Sequence, residues 1–139
     1  MFNSIFNILS PQKRTQINRL KRVMLEGSPH YHYDVGVIAA TASIDISISD
    51  TFPKAQKYAP LDTCRIINNG AVGISLTFNS RDVYVIPAGV IQTITRDEIP
   101  AIYTVRIINI NALLATVAGL IDIDFWKSPE DADSVARRG

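Results

Sequence analysis

Apolar and polar residues alternate along much of this chain, in short runs that turn residues separate. Residues 43–50 show the alternation most strictly. Ile44, Ile46 and Ile48 fall on one side of this run, and serine or aspartate residues fall on the other. Because successive side chains of a strand point to opposite faces of a sheet, the run predicts a strand with one buried and one solvated face.

Between residues 63 and 110, β-branched and aromatic runs are closed by three sets of turn residues. These are Asn69-Gly70, Asn79-Ser80 and Pro87-Ala88-Gly89. Asn-Gly can supply the positive φ values that tight hairpins need, and Pro-Ala-Gly is typical of a type II turn. The series predicts an antiparallel meander in which consecutive strands pair.

Further β-type runs at 90–95, 102–110 and 115–126 bring the count to seven or eight strands. Short strands at close spacing, with helix almost confined to the N-terminus, predict an all-β antiparallel β-sandwich of jelly-roll kind. Most of its core is expected to come from Ile66, Ile74, Leu76, Phe78, Val85, Ile94, Val105 and Ile107.

The N-terminal part of the chain carries the signals of a helix. Ser10-Pro11 is a good helix start and Gly27-Ser28-Pro29 is a good stop, so residues 11–26 are predicted to be helical. The chain is therefore expected to comprise three parts. They are a helical arm (1–28), a β-sandwich domain (29–127) and a charged C-terminal tail (128–139).

The predicted helix is amphipathic and basic. Ile17, Leu20 and Met24 form one apolar stripe, and most of the basic side chains lie elsewhere around the helix. Such an arm can pack on the edge of its own β domain or dock on a neighbouring subunit. Contact with a membrane or with nucleic acid is the less favoured interpretation.

The net charge of +1 conceals two oppositely charged ends. Residues 1–25 contain five basic residues and no acid, whereas residues 122–133 contain five acids against Lys127 alone. These ends can attract each other between subunits. The residues predicted to contact a neighbouring subunit are Ile17, Leu20, Lys21, Arg22, Met24, Tyr31, Tyr33, Asp131 and Asp133.

The sequence contains no recognisable catalytic motif. It has no phosphate-binding glycine loop, no nucleophile elbow and no dinucleotide fingerprint. Cys64, the only cysteine, lies in an apolar run and is expected to be a small buried hydrophobe, and Asp97-Glu98 is expected to be a solvated loop pair. We therefore expect no enzymatic activity, no catalytic residues, no cofactor and no small-molecule substrate.

Two sets of potential metal ligands are present. His30 and His32 would point the same way on an extended strand, close to Asp34, and Asp122 and Asp124 would share another strand face. No cysteine or third histidine completes an ordinary zinc set, and no further oxygen ligands stand at the spacing of a calcium site. We expect no metal site, and we expect the histidine segment to pack on a sheet or on a subunit interface.

The sequence carries no evident export or membrane signal. Residues 2–9 are too short for a signal peptide and are followed, rather than preceded, by basic residues. The apolar stretch 107–121 is short for a bilayer span of about 20 residues. Export through a signal peptide is therefore not expected.

One series of short motifs resembles a known class of proteins. It consists of Arg65-Ile-Ile-Asn-Asn-Gly, Ile74-Ser-Leu-Thr-Phe-Asn, Tyr84-Val-Ile-Pro-Ala-Gly, Ile94-Thr-Arg-Asp-Glu-Ile and Val105-Arg-Ile-Ile-Asn. The series is similar to small β-sandwich proteins of bacteriophage virions, of the head decoration, minor capsid and fibre-base kinds. The resemblance implies a virion structural protein that is made in the host cytoplasm and assembles on itself and on a larger capsid or virion protein.

A second functional class stays open on the residues alone. A β-sandwich can serve as a ligand- or carbohydrate-binding module when aromatic side chains line its binding face. The aromatic residues available for such a role are Tyr31, Tyr33, Tyr58, Tyr84 and Trp126, which are scattered along the chain.

Overall fold

The computed structural model describes residues 25–129, and the strands within that range lie in one compact unit, Pro29–Lys127. The strands are β1 (Tyr31–Val35), β2 (Ser43–Ser47), β3 (Thr63–Asn68), β4 (Ile74–Phe78), β5 (Asp82–Ile86), β6 (Ile91–Ile94), β7 (Thr104–Asn109) and β8 (Ile121–Trp126). A short helix, α1 (Ile48–Thr51), and a 3-10 helix (Pro53–Tyr58) follow β2. Nearly all of the predicted arm helix, and the tail from residue 130, lie outside the described residues.

The eight strands form two antiparallel four-stranded sheets. Sheet A has the order β1-β8-β3-β6, and sheet B has the order β2-β7-β4-β5. Apolar side chains from both sheets meet in one buried cluster, to which sheet A contributes Ile66 and Ile123 and sheet B contributes Leu76 and Ile107. The predicted all-β fold with two antiparallel sheets is confirmed.

The core prediction holds for seven of its eight residues and fails at Val85. Ile66, Ile74, Leu76, Phe78, Ile94, Val105 and Ile107 are all buried, whereas Val85 is 56% exposed. Strand β5 instead turns Tyr84 and Ile86 inward, and the Tyr84 ring packs edge-on against Phe78 with centroids 5.7 Å apart. Because strand side chains alternate, an inward Tyr84 directs Val85 to the outer face.

The predicted meander is wrong in its pairing. Strands β4 and β5 form a hairpin, and its turn residues Asn79 and Ser80 have the positive φ angles of 55° and 61° that a type I′ turn requires. Strands β3 and β4, however, belong to different sheets. The loop between them buries Val72, so the chain crosses from one sheet to the other instead of reversing at Asn69-Gly70.

The predicted strand over residues 43–50 ends early, at Ser47. The chain then forms the single turn of α1, closed by a hydrogen bond from the Phe52 N–H to the Ile48 carbonyl oxygen. Ile48 still reaches the core, as its place in the alternation suggests. The short helix therefore changes the backbone without changing which isoleucines are inward.

Two buried asparagines end β3 and β7, which are inner strands of their sheets. Asn68 and Asn109 are both fully buried. The side-chain amide of Asn68 donates to the carbonyl oxygens of Val72 (2.9 Å) and Pro87 (3.2 Å). The amide of Asn109 donates to those of Ile38 (3.0 Å) and Leu114 (2.8 Å). Each asparagine thus links two loops by hydrogen bonds: Asn68 links 69–73 to 87–90, and Asn109 links 36–42 to 110–120.

We expect truncation to alanine to cost more free energy of unfolding at an inward position than at an outward position of the neighbouring strand. Leu76→Ala should lower the free energy of unfolding by about 2–5 kcal/mol, because the side chain is fully buried. Val85→Ala, the matched change at an exposed position, should alter it by no more than about 0.5 kcal/mol. Denaturant unfolding measures both values, and a larger loss at Val85 than at Leu76 would contradict the observed register.

Candidate functional site

Four loops meet at one end of the β domain. They are the connections 36–42, 69–73, 87–90 and 110–120, which join β1 to β2, β3 to β4, β5 to β6 and β7 to β8. The strand register brings them together, since the last residue of β1 pairs with the first of β8, and the first of β4 pairs with the last residues of β5 and β7. We call this surface the uncharged end.

The name describes its composition: none of the four loops contains an aspartate, glutamate, lysine, arginine or histidine. The connections at the opposite end are residues 48–62, 79–81 and 95–103. Their charged residues are Asp50, Lys54, Lys57, Asp62, Arg81, Arg96, Asp97 and Glu98. We call that surface the charged end. The β domain is therefore polarised along its strands.

Large apolar side chains protrude from the uncharged end. They are Val37, Ile110, Leu113, Leu114, Val117 and Leu120, and Leu113 is 88% exposed. Single exposed apolar residues are common on protein surfaces, but a group of six within two adjoining loops is not. Such a patch is typical of a surface that another molecule covers.

Hydrogen bonds fix the two loops that carry this patch. The Thr116 N–H donates to the Ile38 carbonyl oxygen (3.0 Å), and the Ile38 N–H donates to the Thr116 hydroxyl (2.6 Å). In the longer loop, the Asn111 side-chain oxygen accepts from the N–H groups of Leu113 and Leu114, both at 2.8 Å. The leucines are therefore held outward by a formed turn.

A separate cluster of ionisable groups lies on the outer face of sheet A. His32 of β1 sits opposite Asp124 of β8, and Asp34 sits opposite Asp122. The His32 Nδ1 atom is 2.7 Å from Asp124 Oδ1, and its Nε2 atom is 2.7 Å from Asp34 Oδ1 and 3.6 Å from Asp122 Oδ1. Arg65 of β3 borders the cluster, with Nη2 3.5 Å from Asp124 Oδ2.

This geometry favours a protonated histidine. Both ring nitrogens face carboxylate oxygens, and an imidazole can donate from both only as the cation. The hydrogen bonds to Asp124 and Asp34 raise the pKa of His32. The hydrogen bond from His32 lowers the pKa of Asp34, whereas burial and the hydrogen bond with Asp34 raise the pKa of Asp122.

The same side chains are the ones that could hold a metal ion. Ligand atoms of His32, Asp34 and Asp122 all lie within 4.8 Å of one another. The pairing of β1 with β8 thus brings the histidine set and the aspartate set of the sequence together. His30 is not part of the cluster, because its ring stacks on the Trp126 ring at a centroid distance of 4.2 Å. A cation would compete with the His32 proton, because a ligating imidazole must be neutral.

The predicted interface residues fall mostly outside the described part of the chain. This applies to Ile17, Leu20, Lys21, Arg22, Met24, Asp131 and Asp133. Tyr31 and Tyr33 are half-buried and pack against the core of their own domain. The Tyr31 ring lies against Phe52, with centroids 5.7 Å apart. Their role in contacts between subunits stays a prediction.

The aromatic residues of the described chain do not converge on one face. Tyr84 packs on Phe78 from sheet B, whereas Trp126 stacks with His30 on sheet A. A depression of about 640 Å³ does lie on sheet B. In its wall, Arg106 Nε donates a hydrogen bond to Asp45 Oδ1 at 2.7 Å. The residues described as lining it include no aromatic side chain.

The uncharged end could have been found in the sequence from an absence. Neither the stretch 107–121 nor the connection 36–42 contains a charged residue, but the two lie far apart in the chain. Only strand pairing shows that they share one surface. The usable signal in the sequence was that these turn segments contain no charged residue.

Comparison of the chain with protein-family models, with curated proteins and with solved structures found no match. Among residues 25–129, no helix has the length and apolar character needed to cross a bilayer. Function is therefore argued from the geometry of this chain.

We expect the His32 cluster to make stability fall as pH rises. Because the pKa of His32 is raised on folding, its protonation stabilises the fold below about pH 6.5, and this stabilisation is lost as pH rises through the raised value. Asp122, whose pKa is also raised, acts in the same direction, while Asp34 acts oppositely and only at acid pH. The melting temperature should fall as pH rises from about pH 6.5 through the raised pKa of His32.

Melting curves in buffer with a chelator, which removes bound cations, measure this drop. His32→Gln should reduce it, and the matched change His30→Gln should leave it intact, because His30 stacks on Trp126 rather than between carboxylates. Equal pH dependence in His32→Gln and the unaltered chain would contradict the assignment.

Proposed function

We propose that this chain is a non-enzymatic virion structural protein, of the capsid-associated, minor capsid or decoration kind, that self-assembles and binds a larger shell. The uncharged end is the observation that carries the proposal. A polarised β domain with an apolar surface at one end and charge at the other suits assembly better than catalysis.

The order of the strands supports the virion assignment. In each of the pairs β1–β2, β3–β4, β5–β6 and β7–β8, one strand lies in sheet A and the other in sheet B. Eight strands wound between two four-stranded sheets in this way match a jelly roll, an architecture that viral capsid proteins share with lectins and cupins. The resemblance of residues 65–109 to phage virion proteins favours the viral class among these.

The uncharged end can supply the free energy of association. Covering a large aliphatic side chain is worth about 1.5–3 kcal/mol, and six partly exposed ones together reach the order of several kcal/mol. Association itself costs about 4–15 kcal/mol. The free energy gained by covering the patch is comparable to the cost of association, so the patch can decide whether assembly occurs. Because the patch has no charge, an apolar partner can approach it without desolvating ions.

The described chemistry supports a non-enzymatic role. Cys64 is fully buried, and burial raises the pKa of its thiol, which keeps it from acting as a nucleophile. His32 is held between carboxylates on an open sheet face. The aromatic side chains that a carbohydrate-binding module would need are spread over both sheets, so this second class has less support.

We expect a charge at the uncharged end to weaken self-association. Val117→Asp would place a carboxylate in the patch and should raise the dissociation constant of the oligomer at least tenfold, because burying an unpaired charge is costly. Val83→Asp on β5 is the matched control, since Val117 and Val83 are 59% and 61% exposed. Size-exclusion chromatography with light scattering measures both. A monomeric unaltered chain, or equal losses in the two variants, would contradict the proposal.

A further inference from the structure

We propose that the uncharged end of one copy receives residues 2–9 of a neighbouring copy. The inference rests on the proposed assembly function and names the occupant of its surface. Residues 2–9 combine Phe2, Ile5, Phe6, Ile8 and Leu9 with three small polar residues. Their side chains have the same chemistry as the patch: large, apolar and uncharged.

Charge distribution favours this segment over the rest of the arm. Residues 2–9 contain no charge, and the basic residues begin only at Lys13. A segment without charged side chains can cover Leu113 and Val117 without bringing a lysine or arginine into the contact. The basic stretch would then remain outside the apolar patch, where it keeps its hydration.

The direction of β1 favours a neighbouring copy over the same copy. Strand β1 runs from Tyr31 to Val35 and then enters loop 36–42 of the uncharged end, so Tyr31 lies toward the charged end. A five-residue strand is about 16 Å long at about 3.3 Å per residue. The chain before Tyr31 therefore joins the domain at the end farthest from its own patch and nearest to the patch of a copy stacked head to tail.

The connecting chain is long enough for such an exchange. Residues 10–30 separate the segment from β1. They span about 30 Å if wholly helical at 1.5 Å per residue, and about 65 Å if extended. Either length reaches a domain in contact with the charged end. Because the copies stack head to tail in this arrangement, the contact is heterologous, and it closes into a ring or continues as a filament.

A protein occupant fits this surface better than a lipid surface does. Peripheral membrane sites commonly add lysine and arginine, which attract anionic headgroups, to their apolar residues. The four loops of the uncharged end contain neither residue. The chain itself, in contrast, supplies a segment of matching character.

Cross-linking between single-cysteine variants tests the inference on the full chain. Ile5→Cys and Leu113→Cys are prepared separately, mixed and oxidised, and Cys64 stays unreactive because it is buried. We expect covalent dimers in the mixture and none from Ile5→Cys or Leu113→Cys alone. Dimers from Leu113→Cys alone would mean that two uncharged ends face each other, which would overturn the inference.

A matched pair of substitutions in the segment gives a second readout. Phe6→Ser removes an apolar side chain and should raise the dissociation constant of the oligomer at least tenfold. Asn7→Ser, its neighbour, removes none and should leave the constant within about twofold. If Val117→Asp dissociates the oligomer while Phe6→Ser does not, another occupant covers the patch, and the inference fails although the assembly function stands.

Binding to vesicles tests whether a lipid surface, rather than a protein segment, covers the uncharged end. Phosphatidylcholine vesicles are mixed with the unaltered chain and with Val117→Asp, and flotation is measured. We expect neither protein to float. Flotation of the unaltered chain that Val117→Asp abolishes would assign the uncharged end to a lipid surface and overturn the inference, and a monomeric unaltered chain would overturn the assembly function as well.

Discussion

The hydrogen bonds of two buried asparagines are the constraint on which this domain depends. Backbone groups of a loop that are removed from water must find partners within the protein, because a buried unpaired amide or carbonyl is costly. Asn68 and Asn109 meet that need at the ends of β3 and β7, where their amides reach carbonyl groups of neighbouring loops. The loops can then be apolar and still keep a fixed shape.

The polarity of the domain follows from that arrangement. Once the loops of one end are held from within, their outward positions are free to carry Leu113, Leu114 and Val117. The opposite end carries its charges in loops of ordinary composition. The His32 cluster lies apart from both, on the outer face of sheet A, where it joins β1 to β8 through ionic hydrogen bonds. We expect this link to weaken as pH rises, because the carboxylate partners of His32 raise its pKa.

The sequence predicted the elements of the fold better than their arrangement. Alternating isoleucines mark β2 and β8 because a strand with one solvated face buries every second residue. Pairing is not local, so Asn69-Gly70 suggested a hairpin where the chain crosses between sheets. The repeat Thr-x-Arg-Ile-Ile-Asn at 63–68 and 104–109, which places both buried asparagines, was a usable signal. The His32 cluster draws on strands about 90 residues apart, and no spacing rule could show it.

Side-chain footprinting of the unaltered chain tests the central claim, that the uncharged end is the assembly surface. Hydroxyl radicals label exposed side chains, and mass spectrometry measures the labelling at low and at high protein concentration. Leu113 and Leu114 should lose reactivity as the chain associates, while Val83 and Val85, equally apolar and exposed on β5, should keep theirs. Protection of Val83 and Val85 with unchanged labelling of Leu113 would show that the edge of sheet B mediates assembly and would contradict the account.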